Sequence, residues 1–195
     1  MIPPGQLTGA VLAGGHSRRM GRDKATLPHE GRPMWEHQAD ILRTAGCHPI
    51  AIVRQTGQPP LGLPDDLLLW HDPVTDAGPL AGLHAALSHA RTPLLAVLAI
   101  DMPQIDAGWY QWLGTHCDDH RGAIARRPDG VYEPLAAIYP RVALTEVTQR
   151  LASPDRSLQS LAAALLAQNL LQSVPLRESD LWRVSNWNSP EDRPV

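Results

Sequence analysis

Seven consecutive apolar residues, Leu94-Leu95-Ala96-Val97-Leu98-Ala99-Ile100, end on an aspartate, Asp101. The run is short and shows no polar alternation. That is the pattern of a central parallel strand covered on both faces. Such a strand needs helices on either side of its sheet, and the chain supplies them. Leu7 to Leu12 reads as a first strand, Met34 to Ala45 as a helix and Ile50 to Val53 as a second strand. Leu67 to Trp70 reads as a short third strand. Pro79 to Ala90 reads as a helix, with Leu80, Leu83, Leu87 and Ala90 at helical spacing. After residue 121 the pattern loosens. Gly122 to Arg126, Leu135 to Tyr139 and Leu170 to Val174 read as strands, Arg141 to Ala152 and Leu158 to Gln168 as helices. Alternation of this kind predicts an α/β chain: a three-layer αβα sandwich with a mostly parallel, Rossmann-like central sheet.

Ligands in such sheets sit at the carboxyl ends of the strands. The first strand runs directly into Gly14-Gly15, where the absent Cβ atoms allow a sharp turn and close approach of a ligand. Free backbone N–H groups in such a loop bind anions. Arg18, Arg19, Arg22 and Lys24 follow closely, and guanidinium groups fork onto phosphate oxygens. Taken singly, Gly-Gly is often only a tight turn and four cations only a solvated face. Together with Asp23 in one short loop they form a cradle suited to a triphosphate. The loop is neither a Walker loop nor a dinucleotide fingerprint, because both spacings are absent.

Asp101 falls on the same rim. A carboxylate at the mouth of a buried strand is paired, hydrogen-bonded or metal-bound. Position alone leaves a Mg²⁺ ligand and a helix cap equally open. A phosphate loop on the same rim favours the metal. Asp72, in Trp70-His71-Asp72-Pro73, reads by itself as a turn, with Asp76 close by. Gly82 sits inside the helix begun by Pro79, at a cost of about 1 kcal/mol against Ala. That cost makes sense where a ribose or base packs on the backbone. Asn186 and Asn188 alternate around Trp187, so an extended segment would point both amides one way. The other reading is an Asx-rich turn before a final helix.

Composition narrows the rest. The 195 residues suit one domain with a real core. A net charge of −3 with a single local basic loop suits a small anionic ligand better than nucleic acid. No apolar run approaches the roughly 20 residues that span a bilayer, and no signal peptide is evident. Cys47 and Cys117 have no metal-type spacing and read as reduced thiols of a cytoplasmic protein. Cys117-Asp118-Asp119-His120 reads as a surface turn, and the nine histidines show no ligand spacing. The absence of Phe beside six Trp has no functional account.

The segment Leu12 to Lys24 resembles the motif Leu-Ala-Gly-Gly-x-Ser-x-Arg-Met-Gly-x-Asp-Lys of the molybdenum cofactor guanylyltransferases, nucleotidyltransferases of the MobA type. The resemblance continues through Gly31-Arg32-Pro33, Gly78-Pro79-Leu80-Ala81-Gly82, Asp101-Met102-Pro103, Glu133-Pro134-Leu135 and Asn186-Trp187-Asn188-Ser189-Pro190-Glu191. It implies a nucleotidyltransferase fold in one domain, 1–195, with nucleotide bound by about 1–105 and acceptor by about 106–195. It implies GTP and molybdopterin as substrates, Mg²⁺ as cofactor and transient contact with molybdoenzymes or cofactor-insertion proteins. Leu12, Ala13, Gly14 and Gly15 would hold the nucleotide, and Arg19 and Lys24 would neutralise its phosphates. Asp101 matches the metal-binding aspartate, Asp72 one that contacts the nucleoside, and Asn186 and Asn188 lie in a segment beside the acceptor. His37 falls where the family also has a histidine, a position equally suited to packing. Arg54 stands where some members have an Asn that touches guanine, and Ser153 to Ser157 offers one Arg where members often carry a basic pair. Two rivals remain: a cytidylyltransferase or other nucleotidyltransferase of the same fold, whose loop more often reads Leu-Ala-Ala-Gly, and a non-catalytic nucleotide- or cofactor-binding protein.

Overall fold

The computed structural model describes residues 2–3, 5–14, 23–72 and 78–187. Nine strands and five α-helices follow one another among them: β1 (Leu7–Leu12), β2 (Pro28–His29), β3 (Arg32–Pro33), α1 (Met34–Thr44), β4 (Ile50–Gln55), β5 (Leu67–Asp72), α2 (Pro79–His89), β6 (Leu94–Ala99), α3 (Ala107–Gly114), β7 (Gly122–Arg126), β8 (Ala136–Pro140), α4 (Leu144–Leu151), α5 (Leu158–Ala167) and β9 (Leu171–Pro175). Seven strands make one sheet in the order β5-β4-β1-β6-β8-β7-β9, and β2 and β3 form a separate small hairpin. Only β8 runs against its sheet neighbours; the β5–β4, β4–β1, β1–β6 and β7–β9 pairs are parallel. The carboxyl ends of β1, β4, β5 and β6 therefore share one rim.

β6 is the centre of the expected architecture. Leu94, Ala96 and Leu98 join a core with Met34, Trp35 and Leu42 of α1 and Trp109 and Leu113 of α3. Leu95 and Val97 face the other way, into a core with Leu80, Leu83 and Leu87 of α2, Val147 of α4 and Leu161 and Leu165 of α5. Each leucine so buried contributes roughly 1.5–3 kcal/mol. The unalternating apolar run is thus the signature of two cores meeting on one strand. The chain folds as the α/β, three-layer arrangement with helices on both faces of a mostly parallel sheet.

Local departures have local causes. β4 and β5 each run two residues past their apolar stretches, because the ladder continues through the Arg54–His71 and Gln55–Asp72 pairs. The stretch Arg141 to Ala152 is a 3₁₀ turn, Arg141–Ala143, followed by α4. α3 was not foreseen: Asp106 caps it by accepting from Trp109 N, and buried Trp109, Tyr110 and Leu113 hold it. At Gly122 a Cβ would lie 2.0 Å from the Ile138 carbonyl oxygen, so only glycine lets β7 lie against β8 there. Cys47 and Cys117 are both free, and burial pushes each thiol up to about 12. No helix among the described residues is long and apolar enough to cross a membrane.

Candidate active site

The rim gathers residues distant in sequence. β1 ends at Leu12, and Ala13 continues alongside β4 by donating its N–H to the Val53 carbonyl at 2.8 Å. On the other side Ile100 N donates to the Leu12 carbonyl at 3.1 Å. The backbone entering the glycine loop is thereby fixed between β4 and β6. Gly14 is tightly placed: a Cβ there would meet Gln55 N and Cγ, both at 3.3 Å, so one of them would have to give way by a few tenths of an ångström. Gly82 lies over Leu12, whose methyl groups a Cβ would meet at 3.6 and 3.8 Å, ordinary contact distances. No described residue therefore demands glycine at position 82.

The loop returns at Asp23, which opens a 3₁₀ turn, Lys24–Thr26, by accepting from Ala25 N. Lys24 Nζ then reaches across the rim to Asp101 Oδ2 at 3.1 Å and to the Trp187 carbonyl at 2.9 Å. Trp187 N donates in turn to the Asp101 carbonyl at 2.8 Å. Three parts of the chain meet in this knot. Lys24 and Asp101 keep 19% and 24% of their side-chain surface open, so the pair is within reach of a ligand. Asp101 is not a helix cap; Asp106 fills that role for α3.

Asp72 is the last residue of β5 and is buried, and its carbonyl accepts from both Thr56 N and Thr56 Oγ1. It stands on the rim beside β4, with β4 and β1 between it and β6, the strand that leads to Asp101. Asn186 is exposed, directly before Trp187. Gly15, Arg18, Arg19, Arg22, Asp76 and Asn188 lie outside the described residues. Cys117 to His120 forms a surface turn in which Asp118 accepts from His120 N.

Three roles are not legible in the sequence: the Arg54–Asp23 pair, the Trp187 backbone and the support that the Glu133–Leu135 segment gives β6. Arg54 is 2% exposed and pairs with Asp23 at 2.6 Å. Its guanidinium is turned to Asp23, and unlike an asparagine it has no amide edge to offer a base. Asp23 had been noted only as the acid of a basic loop. Trp187 enters through its backbone, which no residue pattern marks. Glu133 is buried beside the Arg127 guanidinium; burial raises its carboxyl above the usual range, against the pull of Arg127. The Leu135 carbonyl accepts from Ala99 N at 2.8 Å, so the Glu-Pro-Leu segment buttresses the end of β6.

The site thus joins a glycine loop after the first strand to a lysine and an aspartate on the same rim. The family model of the MobA-like NTP transferase domain matches residues 9–170. The chain belongs to that family. A relative from Opitutus terrae, named a probable molybdenum cofactor guanylyltransferase, is 47% identical, covering 96% of this chain and 93% of its own. A molybdenum cofactor guanylyltransferase from Pseudomonas entomophila is 34% identical over 93% of each chain. Among solved structures, molybdopterin-guanine dinucleotide biosynthesis protein A from Archaeoglobus fulgidus superposes with a TM-score of 0.68 at 23% identity, covering 95% of this chain and 94% of that one. Its sequence makes this MobA-like chain a nucleotidyltransferase, and its fold is shared with that solved structure.

Proposed function

We propose that this MobA-like protein transfers GMP from GTP to molybdopterin, releasing pyrophosphate and forming the guanine dinucleotide form of the cofactor, in the cytoplasm. The observation that carries the reading is the Lys24–Asp101 pair, 3.1 Å apart on the rim that holds the glycine loop. The relatives' names supply the substrates.

The terminal phosphate of molybdopterin is already an anion, so its attack on the α-phosphorus needs no strong base. One P–O bond forms, the bond to the pyrophosphate leaving group breaks, and the electron pair departs with pyrophosphate. Catalysis is then positioning plus charge neutralisation. Leu12, Ala13, Gly14 and Gly15 hold the nucleotide through backbone groups. Lys24 exchanges part of its contact with Asp101 for phosphate oxygens, and Arg19 adds a second positive charge. Asp72 and Gly82 border the nucleoside, and Asn186 and Asn188 border the acceptor.

Asp101 fits a Mg²⁺ ion: its Oδ1 makes no ion pair with a described residue, and Mg²⁺ takes one or two carboxylates and fills its shell with water and phosphate oxygens. Bound there, Mg²⁺ would supply charge stabilisation at the α-phosphate.

The experiment is pyrophosphate release from GTP or CTP with molybdopterin, beside thermal stability with each nucleotide. A nucleotide at 100 times its dissociation constant stabilises the fold by about 2.7 kcal/mol. GTP-dependent stabilisation with pyrophosphate release supports the reading. Release from CTP alone moves the chain to cytidylyl transfer. Nucleotide binding without release, with molybdopterin present, makes it a binding protein.

A further inference from the structure

Beside the Lys24–Asp101–Trp187 knot lies a second group of side chains. His29, Glu30 and His37 each bring one ligand atom within 4.8 Å of the other two. The His29 and His37 rings meet edge-on at 4.3 Å, and His29 also packs edge-on against Trp187 at 5.0 Å. His37 Nε2 lies 3.3 Å from the Pro103 carbonyl oxygen. With its proton on Nε2, His37 donates to that carbonyl and leaves a lone pair on Nδ1. Nδ1 is buried and has no hydrogen-bond partner among the described residues. A metal-ligating histidine is oriented in this way, its second ring nitrogen donating to a backbone carbonyl. The geometry also explains an otherwise orphaned acceptor, since a buried polar atom left without a partner is costly.

We propose that His29, His37 and Glu30 form a site for a divalent transition ion of the zinc class, separate from the magnesium site at Asp101. Two imidazoles and a carboxylate are a recurrent zinc donor set, with a remaining position open to water or a ligand. Magnesium does not compete well, because it prefers an all-oxygen shell. The charges around the cluster permit a cation. Arg32 is the neighbouring positive group, and its guanidinium pairs with Asp40; Glu30 supplies a full negative charge. Burial weakens proton binding at both rings, so protons compete less for their lone pairs. An ion here would clamp the β2–β3 hairpin to α1. Through the His29–Trp187 contact it would also brace the segment whose backbone holds Lys24 and Asp101.

The test uses the full-length protein, stripped with chelator and dialysed free of it. Zn²⁺ is titrated by calorimetry, and Co²⁺ is followed by its visible ligand-field absorption. One equivalent is expected to bind with micromolar or tighter affinity and to raise the melting temperature. His29→Ala and His37→Ala are each expected to weaken binding at least about tenfold. His116→Ala, two residues past the end of α3, is expected to leave it unchanged. Circular dichroism shows whether the variants fold, and His37→Gln, which keeps a polar side chain on Pro103, is the milder replacement. The proposal is overturned by no stoichiometric binding at submillimolar zinc. It is equally overturned by unchanged affinity in folded His29 and His37 variants, or by binding that follows Asp101→Asn instead.

Discussion

Nη2 of Arg54 lies 2.6 Å from Oδ2 of Asp23, joining the end of β4 to the residue on which the glycine loop returns. Asp23 spends its other oxygen on Ala25 N, so one carboxylate fixes both the 3₁₀ turn and the arginine. Arg54 is fully enclosed, and its Nε and Nη1 have no partner among the described residues.

The pair predicts an asymmetry. Asp23→Asn leaves a buried guanidinium without its counter-charge and is expected to cost about 2 kcal/mol or more, below the largest values for buried pairs because Asp23 retains some exposure. Arg54→Met removes the charge together with its need for a partner and keeps the volume, so its cost should be smaller, about 1 kcal/mol. The double variant should resemble Arg54→Met alone. Urea unfolding of the three variants checks the order.

Asp101→Asn separates chemistry from stability. The Lys24–Asp101 pair is partly open to solvent, and such pairs contribute about 0–1 kcal/mol. Melting temperature without ligand should therefore move little. Turnover should fall at least about a hundredfold, the scale on which single electrostatic contributors to a transition state act. Magnesium should also lose its effect on stabilisation by GTP. A variant that is folded and fully active contradicts the role given to Asp101.

Two glycines on the rim predict opposite outcomes. At Gly14 an added Cβ would press on Gln55 N, a backbone atom that cannot rotate away. Gly14→Ala should displace the loop and weaken GTP binding while also destabilising the fold. At Gly82 the added methyl meets, among the described residues, only Leu12 side-chain carbons at ordinary distances. Gly82→Ala should stabilise α2 by about 1 kcal/mol, the usual difference between the two residues inside a helix. A more stable protein with a raised KM for GTP would mark Gly82 as a place kept open for the nucleoside. An unchanged KM would remove it from the site.

The parts legible in the sequence are those where a residue pattern and a physical requirement coincide. The run from Leu94 to Ile100 has to be buried on both faces, and strand ends in a parallel sheet converge, so the sequence alone puts Gly14 and Asp101 on one rim. β4 and β5 were read two residues short because apolarity stops at Val53 and Trp70 while backbone pairing does not. α3 carries glycines at its second and last positions, poor helix formers, and is held instead by tertiary packing of Trp109, Tyr110 and Leu113. The β2–β3 hairpin has two-residue strands, too short for any period. Within the site, the link from Lys24 to Trp187 runs through a backbone carbonyl 163 residues away, which leaves no mark on side-chain identity. Arg54 misled by type, since arginine is rarely enclosed.

The histidine pair sets a pH dependence of stability. Burial lowers the pKa of both His37 and His29 in the folded protein, with the His29 ring adding to the effect at His37; Arg32 lowers both, and Glu30 opposes it. As pH falls through the ordinary histidine value of 6.5, the unfolded chain takes up protons that the folded chain still refuses. The unfolded state then binds more protons, so stability rises with pH in this window and drops on acidification. The contribution is complete above pH 6.5 and is lost on descending from there towards the lower folded values. His37→Gln cannot titrate, and its melting temperature should therefore fall less than that of the unaltered protein between neutral and mildly acidic pH. Thermal unfolding across that range, in chelator-treated protein so that bound metal does not contribute, is the measurement. Parallel curves for the two proteins would show that His37 does not couple protonation to folding.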